Sequence, residues 1–350
     1  MERELVEAWS TVKTEGVSVC PVCHGHDTSL KLNHLVDWQS HPPSGFWVMN
    51  ICADCESGYL VIRPTTEYIH EAYKNYYTHT NKKDSTLNVF LRRVQKWLFL
   101  EYCSFAHQKY TLLNWLVYFS AKLIYPLSLY FDAKSRHIAR YKNKGKLLDV
   151  GCGNGEFLQL AKQYGWEVTG VDFDVKAVAA ARYAGLDIRH GGIDEIKPSE
   201  KFDFISLSHV IEHVFDPVEL LKQCALLLTD DGVLWLETPN MKSYGFRVYK
   251  SNWRGLEPPR HIVLFSDKSL IDALHKAGFV CIEQKCHCLA GVYTALQSEK
   301  LLDKLTVQSS ISQKGFRLIK AIFRIVYIEL SQQLSKSKRE YLTIIARKNK

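Results

Sequence analysis

The sequence predicts an α/β protein: a mostly parallel sheet with helices on both faces, a small β module before it, and helical insertions. Three observations predict it. "KLLDVGCGNGEFLQLAKQYG" over 146–165 reads as a buried strand, a glycine turn and a helix. Strand and helix patterns then alternate through residue 238. Near the start, two C-x-x-C pairs, Cys20/Cys23 and Cys52/Cys55, lie 28 residues apart. At 350 residues and 46% hydrophobic content, the chain is long enough for more than one unit. We divide it into a module at 1–65, a helical linker or lid at 66–139, and the sheet domain at 140–350 with a helical insertion at about 291–337.

In the module, each C-x-x-C pair can offer two thiolates from one tight turn, and two such turns complete a tetrahedral zinc shell. Cys20, Cys23, Cys52 and Cys55 are therefore expected to hold a structural Zn2+, with His24, His26, His34 and His41 on the surface. The stretch between the pairs has room for a strand, a loop at Pro42 and Pro43, and a returning strand. The charged opening "MERELVEAWSTVKTEG" lacks the pattern of a secretory signal, so a reducing, cytoplasmic location is expected, at most against the inner membrane surface.

In the sheet domain, Gly151, Gly153 and Gly155 follow the first strand, and Glu156 stands where a dinucleotide fingerprint needs its third glycine. The next strand, "WEVTGVD", ends at Asp172, placed to accept hydrogen bonds from ribose hydroxyls. Further strands are "LDIRHG", "FDFISLS" and "GVLWLET", with helices at "VKAVAAARYAG" and "DPVELLKQCALLL" between them. These motifs resemble the class I S-adenosylmethionine-dependent methyltransferases over roughly 140–290, with "REYLTIIARK" as a closing strand. The resemblance implies a Rossmann-like sheet that binds S-adenosyl-L-methionine. It places the glycine backbones against the methionine part of the donor, Asp149 near its amino end, Asp172 on the ribose and Asp194 near the adenine.

Methyl transfer to a hydroxyl needs a base. "SHVIEHVFDP" supplies His209, Glu212 and His213; "SNWRGLEPPRHIVLFS" supplies Trp253, Arg254, Glu257, Arg260 and His261. We expect His261, then His209, as general base. A second reading has His209, Glu212, His213 and His261 gather a divalent ion, similar to the E-x-x-E-H site of small-RNA 2'-O-methyltransferases and ubiquinone-pathway O-methyltransferases, although His209 replaces the first glutamate. A third has Glu212 and His213 merely packing a helix start. The module and acceptor loops also resemble methyltransferases of bacterial polysaccharide and sugar-modification clusters. That implies a sugar, sugar-nucleotide or lipid-linked glycan substrate, with Glu212, His213, Trp253, Arg254 and Arg260 in contact with it. C-methylation of a keto-sugar, RNA or protein methylation, and a zinc-bearing interaction protein without turnover are the alternatives.

The +8 net charge lies entirely in residues 301–350, with eleven Lys or Arg against three acids, so a general nucleic-acid footprint is not expected. Apolar stretches at 90–131 and 314–330 are expected to form helices packed on the domain. With Arg317, Lys320 and Arg324 along one stripe, peripheral contact with anionic lipid is the second expectation.

Overall fold

A computed structural model describes residues 14–37, 46–73, 86–106, 111–138, 141, 144–305 and 311–349. The loop at Pro42 and Pro43, and His41, lie outside the described residues. The module contains β1 (Thr14–Gly16), β2 (Thr28–Val36), β3 (Phe46–Cys52), β4 (Gly58–Leu60) and β5 (Ile62–Pro64). β2, β3 and β4 form an antiparallel meander, while β5 returns to pair with β1. Trp47 and Met49, two residues apart on β3, turn to the same buried side.

A helical layer follows: α1 (Thr86–Ala106), α2 (Leu112–Leu123) and α3 (Tyr125–Lys134). Thr111 starts α2 in a capping box with Asn114, satisfying end donors that the first turn leaves free. Phe99, Tyr102, Ala121 and Phe131 form the core of this layer, which packs against Leu160 and Tyr164 of the sheet domain. No single helix among the described residues is long and apolar enough to cross a membrane.

The sheet domain runs β6 (Lys146–Val150), α4 (Glu156–Gln163), β7 (Glu167–Asp172), α5 (Val175–Tyr183), β8 (Asp187–His190), β9 (Phe202–Ser208), α6 (Pro217–Leu227), β10 (Leu228–Pro239), α7 (Tyr244–Tyr249), β11 (Val263–Leu264), α8 (Asp267–Lys276), β12 (Phe279–Lys285), α9 (Ala290–Leu305), α10 (Ile311–Leu334) and β13 (Tyr341–Lys348). Seven strands form one sheet in the order β12-β13-β10-β9-β6-β7-β8. β13 is antiparallel to both β10 and β12; the other pairings are parallel. Four of the five β6 residues are buried, as expected of a central strand covered on both faces. From β6 the chain moves outward through β7 and β8, then returns to place β9 on the other side of β6. That reversal opens a crevice at the strands' carboxyl ends, the usual ligand position in such sheets.

The module is less separate than its sequence boundaries suggest. β11 leaves the seven-stranded domain and adds to β4, so the module's sheet reads β11-β4-β3-β2.

Candidate active site

At the end of β6, Gly151, Gly153 and Gly155 have φ of 70°, 54° and 76°. Added side chains would reveal different constraints: a Cβ on Gly151 would lie 2.6 Å from Val210 Cγ2, one on Gly155 would lie 2.4 Å from Leu186 Cδ1, and one on Gly153 would meet nothing within 4 Å. Gly151 and Gly155 are thus packed, whereas Gly153 bares its backbone to open space where a ligand can approach. The Gly153 amide donates to Asp172 Oδ2 at 2.7 Å, and the Asp174 amide donates to Asp172 Oδ1 at 2.8 Å.

Asp149 is fully buried beside this turn. Its Oδ1 accepts from Ser206 Oγ at 2.7 Å and from Arg136, while Oδ2 has no hydrogen-bond partner among the described residues. Burial raises its pKa against the opposing pull of Arg136 and Ser206. Arg136 lies at φ 48° with its guanidinium 3.9 Å from the centre of the Phe157 ring. A carboxylate oxygen lacking a donor, next to a guanidinium, suits the ammonium and carboxylate of an amino acid. Asp194 is exposed on a short turn, and both it and the largely exposed Phe173 approach the same side of Gly192. An acceptor beside an aromatic ring suits a purine. The chain's residues therefore fit S-adenosylmethionine at its amino-acid, ribose and base ends.

The acceptor side begins where β9 ends. His209 adopts φ 54°, and a 3-10 turn spans Ile211–His213. Buried Glu212 accepts from Thr238 Oγ1 at 2.9 Å and lies 3.2 Å from His209 Nδ1. Burial alone would raise its pKa, but His209, His213 and His261 outweigh that and hold it at about 2. His213 Nδ1 sits 2.9 Å from the Arg260 carbonyl, and His261 Nδ1 sits 2.7 Å from the Gly255 carbonyl. Because a carbonyl only accepts, both Nδ1 atoms carry the proton and both Nε2 lone pairs stay available. One ligand atom each from Glu212, His213 and His261 falls within a 4.8 Å span. Burial drives the His261 pKa down to about 4.

The two expected bases, His261 and His209, lie in different environments. His261 is only 6% exposed, burial lowers its basicity, and its Nδ1 is engaged by the Gly255 carbonyl, an arrangement that suits a fixed lone-pair ligand. His209 keeps 38% of its side chain exposed. Burial opposes its charge, yet Glu212, through a hydrogen bond and its charge, and Glu237 outweigh that and raise its pKa. Its Nε2 is 3.7 Å from Glu237 Oε1. Glu237 was not singled out from the sequence, and neither was His287, whose Nδ1 lies 2.8 Å from Glu237 Oε2. Thr343 Oγ1 also donates to that oxygen at 2.7 Å.

Two expected substrate contacts are internal instead. Arg260 is 2% exposed and grips Asp37 through two hydrogen bonds of 2.7 and 3.1 Å, as well as the Ala72 carbonyl. Trp253 is 1% exposed and donates from Nε1 to Glu340. Arg254, partly exposed, pairs with Glu257. The loop thus spends Arg260 and Trp253 on holding its own shape, with Asp37 and Tyr73 reaching it from the N-terminal region; Tyr73 Oη lies 3.0 Å from His213 Nδ1.

In the module, the Sγ atoms of Cys20, Cys23, Cys52 and Cys55 lie within 4.8 Å of one another, with Cys20–Cys55 at 3.6 Å and Cys23–Cys52 at 3.5 Å. Hydrogen bonds from Cys55 and Ser57 draw the Cys20 thiol down to about 4, so one thiolate is already favoured. Four convergent thiols fit a tetrahedral zinc shell. His24, His26 and His34 are exposed.

The crevice and the strand order define a Rossmann-like class I methyltransferase fold. A family model described as a methyltransferase domain matches residues 124–284. The chain is 33% identical over 111 residues to a ubiquinone biosynthesis O-methyltransferase of Bradyrhizobium diazoefficiens, covering 29% of this chain and 44% of that protein. It is 36% identical over 137 residues to a probable S-adenosylmethionine-dependent methyltransferase of Mycolicibacterium smegmatis, covering 38% and 51%. The chain thus spans about half the length of these relatives. A solved SAM-dependent methyltransferase from Archaeoglobus fulgidus is 24% identical, with a TM-score of 0.41 and coverage of 61% of this chain and 90% of that one.

Proposed function

We propose that this protein transfers a methyl group from S-adenosylmethionine to a hydroxyl oxygen, with His209 accepting the hydroxyl proton. One observation carries the reading: the donor turn and the acceptor turn touch, because Gly151 packs on Val210, the residue between His209 and Ile211. Bound, the donor would supply an electrophilic methyl on its sulfonium. Asp149 and Arg136 would hold its amino-acid end, Asp172 its ribose, and Phe173 with Asp194 its base. Glu212 orients His209 through Nδ1, which leaves Nε2, 3.7 Å from Glu237 Oε1, to take the proton.

A second reading gives Glu212, His213 and His261 a divalent ion that grips neighbouring hydroxyls of the acceptor. What favours it is the pair of committed Nδ1 protons, which fixes both imidazoles with Nε2 lone pairs beside one carboxylate. The names of the O-methyltransferase relatives support oxygen as the receiving atom. A sugar, sugar-nucleotide or lipid-linked glycan acceptor rests on the sequence resemblance of the module and acceptor loops; a vicinal diol on such a molecule would suit the second reading.

Calorimetric titration with S-adenosylmethionine tests the donor site. Saturable binding is expected, weakened roughly tenfold or more in Asp172→Ala by loss of charge-assisted hydrogen bonds; absence of binding heat with the intact chain rejects the reading. Mass spectrometry of extracts incubated with methyl-labelled donor then identifies the acceptor.

A further inference from the structure

The helical insertion between β12 and β13 is turned inside out. Along α10, Leu318, Ile322, Phe323, Val326, Leu330 and Leu334 face outward, with Phe323 70% and Leu334 87% exposed. The inward side holds Ile328 together with the polar Ser331 and Gln332, all buried. Helices of water-facing proteins place their residues the other way round. The outward stripe runs about 24 Å at 1.5 Å per residue, and α9, packed beside α10, adds the exposed Tyr293 and Leu296.

The charges separate in the same sense. Glu299 turns in to bind Arg324 and Tyr249, Glu329 accepts from the Leu289 amide, and Glu340 is buried. Lys300, Lys320 and Lys336 are exposed. The insertion therefore shows water an apolar face bordered by lysines, while these three acids are withdrawn. A second copy of the chain would bring like charges together across such a face. An anionic surface would meet them favourably, and a bilayer would also take up the apolar stripe.

We propose that the α9–α10 face docks this protein on membranes containing anionic phospholipid, lying in the headgroup region rather than spanning it. This inference does not depend on the proposed chemistry. Its test is flotation of the full chain with vesicles of phosphatidylcholine alone or with one-third phosphatidylglycerol. Partitioning is expected to be roughly tenfold or more stronger on the anionic vesicles and to weaken at high salt. The double variant Phe323→Ser, Leu330→Ser changes exposed side chains only and should lose binding while keeping its circular dichroism and S-adenosylmethionine affinity. An intact chain that fails to float with phosphatidylglycerol overturns the proposal. So does a double variant that floats as well as the parent, or a stable dimer dispersed by the same substitutions without vesicle binding, which would make the face a contact between copies.

Discussion

His209 and His261 differ by what surrounds them rather than by residue type. His261 is enclosed, neutral and tied to the Gly255 carbonyl; His209 is half open and backed by two carboxylates. Replacing His209 with Ala should lower kcat by about 10²–10⁴-fold with donor affinity nearly unchanged, and an unaltered kcat would remove the base assignment. Glu340 gives a separate test through pH. Burial raises its pKa from 4.5 to about 7 while its oxygens accept from the Gly245 amide and Trp253. Between those values the folded chain keeps a proton that the unfolded chain has released, so stability falls as pH rises and levels off above about 7. The loss should total about 3 kcal/mol, and urea titrations at several pH values should find this slope flattened in Glu340→Gln. At this scale the sequence showed what is local. Asp149 and the glycines share one recognisable strand and turn and Asp172 closes the next strand, whereas Arg136 reaches Asp149 from an irregular left-handed segment that no periodicity marks. Glu237 and His287 were equally hidden, because their contact requires the packing that joins β10 to the end of β12.

Among the elements, the acceptor loop and the strand β2 depend on each other. Asp37 follows β2 directly, and its paired hydrogen bonds to Arg260 are shielded from water on both sides. Without Asp37, Arg260 keeps Glu257 Oε1 at 3.2 Å and the Ala72 carbonyl at 3.0 Å but loses its bidentate partner, so Asp37→Ala should destabilise the protein by about 1–3 kcal/mol, read as a lower midpoint in denaturant unfolding. A midpoint close to the parent's would mean that the loop holds Arg260 without β2. The elements themselves were largely legible: alternation of strand and helix patterns placed the central sheet, and the apolar runs near 90–131 and 314–330 marked helices. The two-residue β11 was not, since "VL" within "HIVLFS" carries no strand signature of its own and becomes a strand only by meeting β4.

For the whole molecule, the cysteine cluster and the acceptor loop form one mechanical unit. Ser266 Oγ donates to the Cys55 carbonyl at 2.9 Å, Lys268 Nζ to the Asp54 carbonyl at 2.6 Å, and Lys242 Nζ pairs with Glu56 at 2.6 Å. With zinc in the four-thiolate shell, its removal should therefore be felt well beyond the module. Hydrogen exchange after chelation should speed up over 46–73 and 258–266, while β6 through β8 keep their protection and S-adenosylmethionine still binds. If only the module exchanges faster, the coupling through β11 is too weak to matter. The sequence could indicate the two cysteine pairs but not this coupling, because the residues that create it are ordinary serines and lysines whose meaning depends on long-range contact.

The addition of β11 to β4 also has a consequence during synthesis. The outer edge of β4 is made early, yet its partner is translated about 200 residues later. Throughout that interval the nascent chain carries an open strand edge, which can pair with the wrong neighbour. The N-terminal sheet is thus begun first on the ribosome and completed only after most of the central domain has emerged.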